Sequence, residues 1–447
     1  MSGVAPLTRR RFGRLLGACS AALICRPLRG LVGAAETGTA PLAPPGTLQQ
    51  RENLKLRAGR VIEILQRHVQ TGYLAGAVAL IGSGNRAETV TVGVQSLEDG
   101  ALMRRDSIFR ITSMTKPITA AATLMLVDHG LLRLDERIDH WLPELAHRRV
   151  LRRLDGALDD TVSAKRPITV EDLLTFRCGL GSVTIPEADY PLLRRIAELQ
   201  LVGFGPPEPA TVIAPDEWLR RLGTLPLMAQ PGETWLYNTG SCILGVLLAR
   251  VARKPLPLLL KELIFGPLGM TDTDFMVSAA KRDRFVTAYR PEAGRAQLYD
   301  APATSPWCTA PAFPDAAAGL VSTVDDYFAF SHFLLSLGRS GRRQLLAQAT
   351  VGAIARDRLN ASQRAAAAPI VGSRRGWGLG VAVVTDTTVQ GIPAGAYGWN
   401  GGFGTSWLAD PSSGTTAILL TQTLFTSPAP PAVHQEFWAA VFSPAVL

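Results

Sequence analysis

The stretch FRITSMTK, residues 109–116, does most to decide what this chain is. Ser113 and Lys116 are three residues apart, a spacing that places both side chains on one face of a helix, about 5–6 Å apart at Cβ. A serine hydroxyl becomes a useful nucleophile when a neighbouring group takes its proton. A lysine can take it when the amine is neutral, which burial or a nearby positive charge favours. We therefore predict Ser113 as a nucleophile and Lys116 as its base.

The residues that follow predict a buried helix beginning at this pair. Residues 119–127 are apolar and rich in alanine, and Gly130 supplies a stop signal. Pro117 is tolerated only in the first turn of a helix, which places Ser113 at the helix start. Free N–H groups and the positive end of the helix dipole favour developing negative charge there.

The same spacing occurs a second time, in SAAK at residues 278–281. That copy precedes a charged stretch rather than an apolar helix, so we predict a surface turn or helix cap. The motif alone would fit a plain surface helix start as well as a catalytic pair.

Two further segments carry candidate site residues. PGETWLYNTG, residues 231–240, places Tyr237 and Asn238 at a turn before a predicted buried helix over 241–252. GWNGGFGTSW, residues 398–407, is a glycine-rich entry to a strand, where a substrate could approach the backbone closely. Taken singly, the first also fits a core tyrosine beside a helix cap, and the second also fits a strand bulge.

Periodicity predicts an α+β fold. Helices are expected over 51–70 and 433–442, a hairpin is expected over 77–94, and strands are expected over 377–384, 404–409 and 415–422. The middle of the chain is mostly helical. We predict one antiparallel sheet built from both chain ends, with flanking helices and a mostly helical inserted subdomain.

The net charge of +9 is concentrated near the N-terminus. Six arginines precede the first acidic residue, and their charge accounts for +6 of the net charge, so 9 − 6 leaves +3 for the rest of the chain. These arginines are Arg9, Arg10, Arg11, Arg14, Arg26 and Arg29. Without a basic stripe in the body we expect no nucleic-acid partner, and without an eighteen-residue apolar run we expect no stable membrane insertion.

The N-terminal segment resembles a twin-arginine export signal. Arg9 and Arg10 precede a short apolar stretch, residues 15–25, and small residues at 32–34. We predict an export signal over 1–35 and a linker over 36–50, and therefore a periplasmic protein. Because Arg26 and Arg29 interrupt the apolar region, a basic tail on a cytoplasmic protein is the alternative.

The cysteines and histidines predict neither a cofactor nor a metal site. The five cysteines include no CxxC pair, and none of the six scattered histidines belongs to an HExxH motif.

Together the three segments resemble the serine β-lactamase and penicillin-binding-protein superfamily, and most closely class C β-lactamases and family VIII carboxylesterases. The segments 168–180, 265–270 and 319–323 also resemble that family. The resemblance covers 51–447. It implies a β-lactamase-like catalytic domain with a sheet part at about 51–112 and 319–447 and a helical part at about 113–318.

The resemblance also assigns roles. It implies that Ser113 is acylated, that Lys116 is its general base, and that Tyr237 passes protons. The backbone N–H groups of Ser113 and Gly402 would form the oxyanion hole. The substrate-binding residues implied by the second and third motifs are Asn238, Trp399, Asn400 and Gly401.

Two departures from the family pattern affect the substrate. Asn238 directly follows Tyr237, where the family has one residue between them, and Trp399 stands where a lysine usually holds the carboxylate of a β-lactam. Trp399 cannot form an ion pair, so an uncharged short-chain ester is the expected substrate. If their rings face the cleft, Trp399, Phe403 and Trp407 would make its entrance apolar.

Three other functions are compatible with the same motifs or with the same fold. A β-lactamase or a peptidase acting on D-amino-acid peptides would use the same residues on an ester or amide substrate. A non-catalytic penicillin-binding-type protein would keep the fold alone. A Ser-His-Asp hydrolase is disfavoured because the sequence has no GxSxG elbow.

Overall fold

The computed structural model describes residues 48–182 and 190–443. The predicted export signal lies outside the described residues, as does the linker up to residue 47. Residues Thr47–Leu447 form one compact unit. Within the described part, no helix is both long enough and apolar enough to cross a membrane.

The main sheet has seven strands, and every neighbouring pair in it is antiparallel. The strands lie in the order 375–377, 382–384, 397–401, 405–410, 415–421, 76–83 and 86–93, so both chain ends build the sheet, as the sequence predicts. The fifteen strands of the described chain are β1 Gly76–Ser83, β2 Arg86–Gly93, β3 Phe109–Arg110, β4 Arg149–Leu151, β5 Thr161–Ser163, β6 Ala288–Glu292, β7 Arg295–Asp300, β8 Val321–Ser322, β9 Arg339–Ser340, β10 Arg343–Gln344, β11 Arg375–Trp377, β12 Ala382–Val384, β13 Tyr397–Gly401, β14 Thr405–Asp410 and β15 Thr415–Thr421.

Helices cover both faces of this sheet and fill the inserted region. The α-helices of the described chain are α1 Leu48–Gln70, α2 Thr115–Asp128, α3 Val170–Leu174, α4 Pro191–Glu198, α5 Pro215–Gly223, α6 Thr239–Ala252, α7 Leu256–Leu260, α8 Gly266–Leu268, α9 Val324–Leu335, α10 Gln348–Ile354, α11 Ala361–Val371 and α12 Ala432–Phe442. The predicted helices over 51–70, 119–127, 241–252 and 433–442 correspond to α1, α2, α6 and α12, which confirms the α+β class.

Alternation along β1 separates two cores. Ala77, Ala79 and Ile81 pack with α1 and α12 on one face, whereas Val78 and Leu80 join the larger core formed with α2, α6 and α9. Successive side chains of a strand point to opposite faces, so a single apolar strand can serve both layers. The helix that carries Lys116 therefore belongs to the core on the Val78 and Leu80 face of the sheet.

Two sequence expectations need correction. The strand predicted over 377–384 is two short antiparallel strands, β11 and β12, because the chain reverses at Gly380, which has a φ of +82°. Trp407 does not line a cleft: it is fully buried, and its indole donates to the Ser331 hydroxyl in the core.

Candidate active site

Ser113 lies in a tight turn that leads directly into α2. Residues Thr112–Met114 form a 3₁₀ turn, and the helix begins at Thr115, so Pro117 falls in its first turn as predicted. Strand β3 pairs with β8 just before this turn, and the Ile111 N–H donates to the Leu320 carbonyl at 3.1 Å. Thr112 has a φ of +41°, a conformation that costs energy for a β-branched residue and is typically found at functional sites.

Lys116 is in position to exchange a proton with Ser113. Its side chain is 1% exposed, and its Nζ donates to Ser113 Oγ at 2.9 Å and to the Ala317 carbonyl at 2.9 Å. The same Nζ lies 4.6 Å from the centroid of the Tyr237 ring. A distance of roughly 2.6–3.2 Å between heavy atoms is the range in which a general base acts.

The carbonyl that holds Lys116 belongs to a segment that the sequence does not single out. Asp315 Oδ1 accepts from the Ala317 N–H at 2.8 Å and from the Cys242 thiol at 3.3 Å. These contacts fix residues 315–317 against α6 and so orient the Ala317 carbonyl toward Lys116. The contact to Lys116 is made by a backbone atom, for which side-chain patterns give no signal.

Tyr237 sits in an aromatic cluster formed by Phe176, Trp235, Tyr237, Trp377 and Trp399. The indole Nε1 of Trp399 donates to the Tyr237 hydroxyl at 2.6 Å. Trp399, which replaces the usual lysine of the third motif, therefore contacts the tyrosine of the second motif. An N–H donor at this oxygen stabilises negative charge that develops on the phenol.

The end of β13 approaches the Ser113 turn closely. A Cβ atom at Gly401 would clash with the Ile111 carbonyl and the Thr112 hydroxyl, so this position requires glycine. Gly402 follows directly and is exposed, and its carbonyl accepts from the Phe425 N–H at 2.7 Å. This approach brings the chain at Gly402 next to the nucleophile turn; the oxyanion hole formed by Ser113 and Gly402 stays a prediction.

Asn238 makes its contact with the inserted region. Its side-chain N–H donates to the Gly203 carbonyl at 3.1 Å, its side chain is 5% exposed, and its φ is +85°. Asn238, which follows Tyr237 directly, thus has a strained backbone conformation at the start of α6. This geometry gives Asn238 a structural partner, and its contact with substrate stays a prediction.

Trp399 and Asn400 also line a cavity of about 360 Å³ at the β11 edge of the sheet. Residues of α11 and α12 form its other walls. The sequence predicts Asn400 and Gly401 as substrate-binding residues, and the structure places Asn400 at the wall of this cavity and Gly401 against the Ser113 turn.

The second SxxK copy lies on the surface. Ser278 is exposed at the start of a 3₁₀ turn, Ala279–Arg284, and Lys281 pairs with Asp272 at 2.9 Å. Lys281 also donates to the Thr271 carbonyl rather than to Ser278. In the described ranges, 48–182 and 190–443, no group of three His, Cys, Asp or Glu residues could hold a metal ion.

Comparison with known proteins agrees with this geometry. A family profile described as Beta-lactamase matches residues 61–436. The chain belongs to the beta-lactamase family. It is 38% identical to an uncharacterized protein of Mycobacterium tuberculosis over 363 residues, which are 78% of this chain and 86% of that protein.

Two further relatives have stated activities. Esterase EstB of Burkholderia gladioli is 30% identical over 393 residues, covering 82% of this chain and 91% of the esterase. The solved structure of EstCE1, "a hydrolase with promiscuous acyltransferase activity", matches with a TM-score of 0.73 at 26% identity, covering 87% of this chain and 99% of that one. The protein is therefore a β-lactamase-related serine hydrolase.

Proposed function

We propose that this protein hydrolyses carboxylic esters through an acyl-enzyme formed on Ser113. The observation that carries the proposal is the 2.9 Å hydrogen bond between Lys116 Nζ and Ser113 Oγ, in a site where Lys116 is almost fully buried. Esterase activity in the relative EstB supports the choice of ester over amide.

The residues act in two half-reactions. In the first, Lys116 Nζ accepts the Ser113 proton while Oγ bonds to the carbonyl carbon of the ester. The N–H groups of Ser113 and Gly402 stabilise the resulting oxyanion, an effect worth roughly 3–4 kcal/mol for one such donor. Tyr237 donates its proton to the alcohol oxygen and takes the proton held by Lys116 in its place, the carbon–oxygen bond breaks, and the alcohol leaves.

In the second half-reaction, water attacks the acyl-enzyme. The Tyr237 hydroxyl relays the proton of this water to Lys116, a second tetrahedral oxyanion forms, and the bond to Ser113 Oγ breaks. The proton returns to Oγ and the carboxylic acid leaves. General acid–base groups of this kind contribute roughly 10²–10⁴-fold each.

The preferred substrates of this site are short-chain neutral esters rather than β-lactams. The indole of Trp399 carries no charge for a β-lactam carboxylate, and its N–H is already bonded to Tyr237. The side-chain N–H of Asn238, which would serve a substrate amide, is bonded to Gly203. A charge-assisted bond is worth ~1.5–3 kcal/mol, so its loss lowers affinity or rate by roughly tenfold to a hundredfold.

The test compares alanine variants of the serines in the two copies of the SxxK motif. Ser113→Ala should abolish hydrolysis of p-nitrophenyl butyrate, and the matched variant Ser278→Ala should retain wild-type kcat/KM. Wild-type turnover in Ser113→Ala would overturn the assignment. The same preparations should be assayed with a chromogenic cephalosporin and a D-alanyl-D-alanine peptide; a cephalosporin preferred by tenfold or more would favour the β-lactamase alternative.

A second candidate function is transfer of the acyl group to an alcohol. It is favoured by the stated acyltransferase activity of EstCE1 and requires only that an alcohol replace water in the second half-reaction. Adding 1-butanol to the p-nitrophenyl butyrate assay and measuring butyl butyrate against butyric acid separates the two. Ester product in excess over acid at millimolar alcohol would make transfer the main reaction.

A further inference from the structure

The backbone carbonyl that holds Lys116 belongs to a buried segment, in which Ala316 and Ala317 are both 0% exposed. The Ala317 carbonyl accepts from Lys116 Nζ at 2.9 Å, the same distance at which Nζ donates to Ser113 Oγ. Because the four-carbon stem of a lysine is flexible, the position of Nζ depends on both acceptors. Whatever orients the Ala317 carbonyl therefore also orients the base.

Asp315 binds the peptides on both sides of Ala317. Its Oδ1 accepts from the Ala317 N–H at 2.8 Å, and its backbone carbonyl accepts from the Ala318 N–H at 3.3 Å. The C=O and N–H groups of a planar trans peptide point in opposite directions. The Ala318 N–H points at Asp315, so the carbonyl of the same peptide points the other way. That carbonyl belongs to Ala317 and faces Lys116.

Residues of two helices bind Asp315 and Ala316. Thr119 of α2 is 0% exposed and donates its hydroxyl to the Ala316 carbonyl at 2.7 Å. Cys242 of α6 donates its thiol to Asp315 Oδ1 at 3.3 Å. Burial, together with the adjacent Asp315 carboxylate, raises the pKa of this thiol well above its usual value, so the thiol keeps the proton that it donates. Thr119 lies about one helical turn beyond Lys116, so α2 both carries the base and helps to hold its acceptor.

We propose that Asp315 is a positioning residue for the general base, acting on Lys116 through the Ala317 carbonyl. Activated nucleophiles are commonly paired with a base that a third group orients. Here the third group reaches the base through a backbone peptide rather than directly. The proposal rests on the role of Lys116 in the proposed function, and the labelling measurement below does not require that esters are the substrate.

The first test compares two substitutions of Asp315. Asp315→Ala removes the side-chain acceptor of the Ala317 N–H and should lower kcat for p-nitrophenyl butyrate by roughly 10- to 100-fold, with KM within about threefold of wild type. The reason is that a reacting group misplaced by about 1 Å can cost roughly a hundredfold in rate. Asp315→Asn keeps an oxygen acceptor at that place and should stay within about fivefold of the wild-type kcat. Equal losses in both variants would assign the effect to the charge of Asp315 and overturn the positioning role.

A double-mutant cycle tests whether Asp315 acts through Lys116. The reaction followed is phosphonylation of Ser113 by a fluorophosphonate, in which Oγ bonds to phosphorus, fluoride leaves and Lys116 takes the Ser113 proton. Asp315→Ala should slow this labelling by roughly tenfold or more when Lys116 is present, and by less than about twofold in the Lys116→Met background. Equal slowing in both backgrounds would mean that Asp315 acts elsewhere and would refute the proposal.

Thr119→Val provides a second variant if Asp315→Ala melts well below the wild type. It removes the hydroxyl that binds the Ala316 carbonyl and should lower kcat by roughly fivefold or more. Thr123→Val is the matched control, because Thr123 is also 0% exposed in α2 and its hydroxyl donates to the Thr119 carbonyl at 2.9 Å, within the helix. The control should stay within about twofold of the wild-type kcat. Equal losses in the two threonine variants would attribute the effect to α2 itself and count against the role of the segment around Asp315.

The labelling and hydrolysis measurements separate this proposal from the proposed function. Labelling of Ser113 that depends on Asp315, in a protein that hydrolyses none of the tested esters, would keep the positioning role and refute the ester function. Ester hydrolysis and labelling that are both unchanged in Asp315→Ala, at the wild-type melting temperature, would keep the ester function and refute the positioning role.

Discussion

Replacing Trp399 by phenylalanine tests how the site uses Tyr237. The substitution removes the indole N–H that donates to the Tyr237 hydroxyl at 2.6 Å. A phenylalanine ring still occupies the aromatic cluster and can keep contact with Trp377, whose ring centroid lies 4.8 Å from that of Trp399. The variant therefore removes a hydrogen-bond donor while retaining most of the packing.

The expected magnitude follows from the charge on the phenol. A hydrogen bond to a neutral tyrosine is worth about 1 kcal/mol, and one to a charged group roughly 1.5–3 kcal/mol. If Tyr237 gains negative charge in the transition state, the variant loses the difference between these two values, about 0.5–2 kcal/mol. The expected loss is thus roughly 2- to 30-fold in kcat/KM for p-nitrophenyl butyrate.

A double-mutant cycle isolates this contact. Trp399→Phe is measured alone and together with Tyr237→Phe, which removes the acceptor oxygen. In the Tyr237→Phe background the indole has no phenol to stabilise, so Trp399→Phe should cost less than about twofold. Melting temperatures of all four proteins separate loss of catalysis from loss of fold.

One result would refute the reasoning outright. If Trp399→Phe lowers kcat/KM by the same factor with and without the Tyr237 hydroxyl, the indole acts on substrate or packing and not through Tyr237. A wild-type rate in Trp399→Phe would show instead that the phenol carries no negative charge in the rate-limiting step.

Three further predictions concern Lys116 as the general base, the pH dependence of the free energy of unfolding, and the predicted export signal. Lys116→Met should lower kcat by roughly a hundredfold or more at unchanged melting temperature, since a general base supplies about 10²–10⁴-fold; steady-state kinetics that show less than a tenfold loss would assign the base elsewhere. Burial lowers the pKa of His434 to about 3 from 6.5, so the unfolded state takes up a proton first as the pH falls. Stability from this residue is complete above about pH 6.5 and is lost toward pH 3, by ~2 kcal/mol between pH 8 and pH 5. Urea titrations at these two pH values should give a smaller loss for His434→Gln, and equal losses for both proteins would contradict the assignment. Replacing Arg9 and Arg10 by lysine should keep the protein inside the cell if residues 1–35 are a twin-arginine signal, and fractionation that finds export unchanged would leave the basic-tail alternative.

The sequence predicted the elements whose signals are local. The apolar spacing over 51–70 and the two β-rich runs around Gly84 predicted α1 and the hairpin of β1 and β2, which the structure confirms. The break between β11 and β12 was missed because residues 377–384 form an apolar run. A continuous run of that kind does not reveal a reversal that depends on one left-handed glycine.

The sequence by itself determined the spacing of Ser113 and Lys116 and the family to which the chain belongs. These features depend on residues within one turn of a helix or on motifs read along the chain. Only the tertiary structure decided how the site is completed. The Ala317 carbonyl that holds Lys116 is 201 residues away, and Trp399 bonds to Tyr237 across 162 residues.

The same distinction explains Asn238 and Arg375. The resemblance implied Asn238 as a substrate-binding residue, and that contact stays a prediction. Its direction in the fold depends on the Gly203 carbonyl, which the inserted region brings to the start of α6. Arg375 is one of many arginines in the sequence, and only the folded chain buries it with its guanidinium 5.2 Å from the centroid of the Trp438 ring. Local patterns determine which face of an element is buried, whereas the partner of each polar group is set by elements that meet only when the chain is folded.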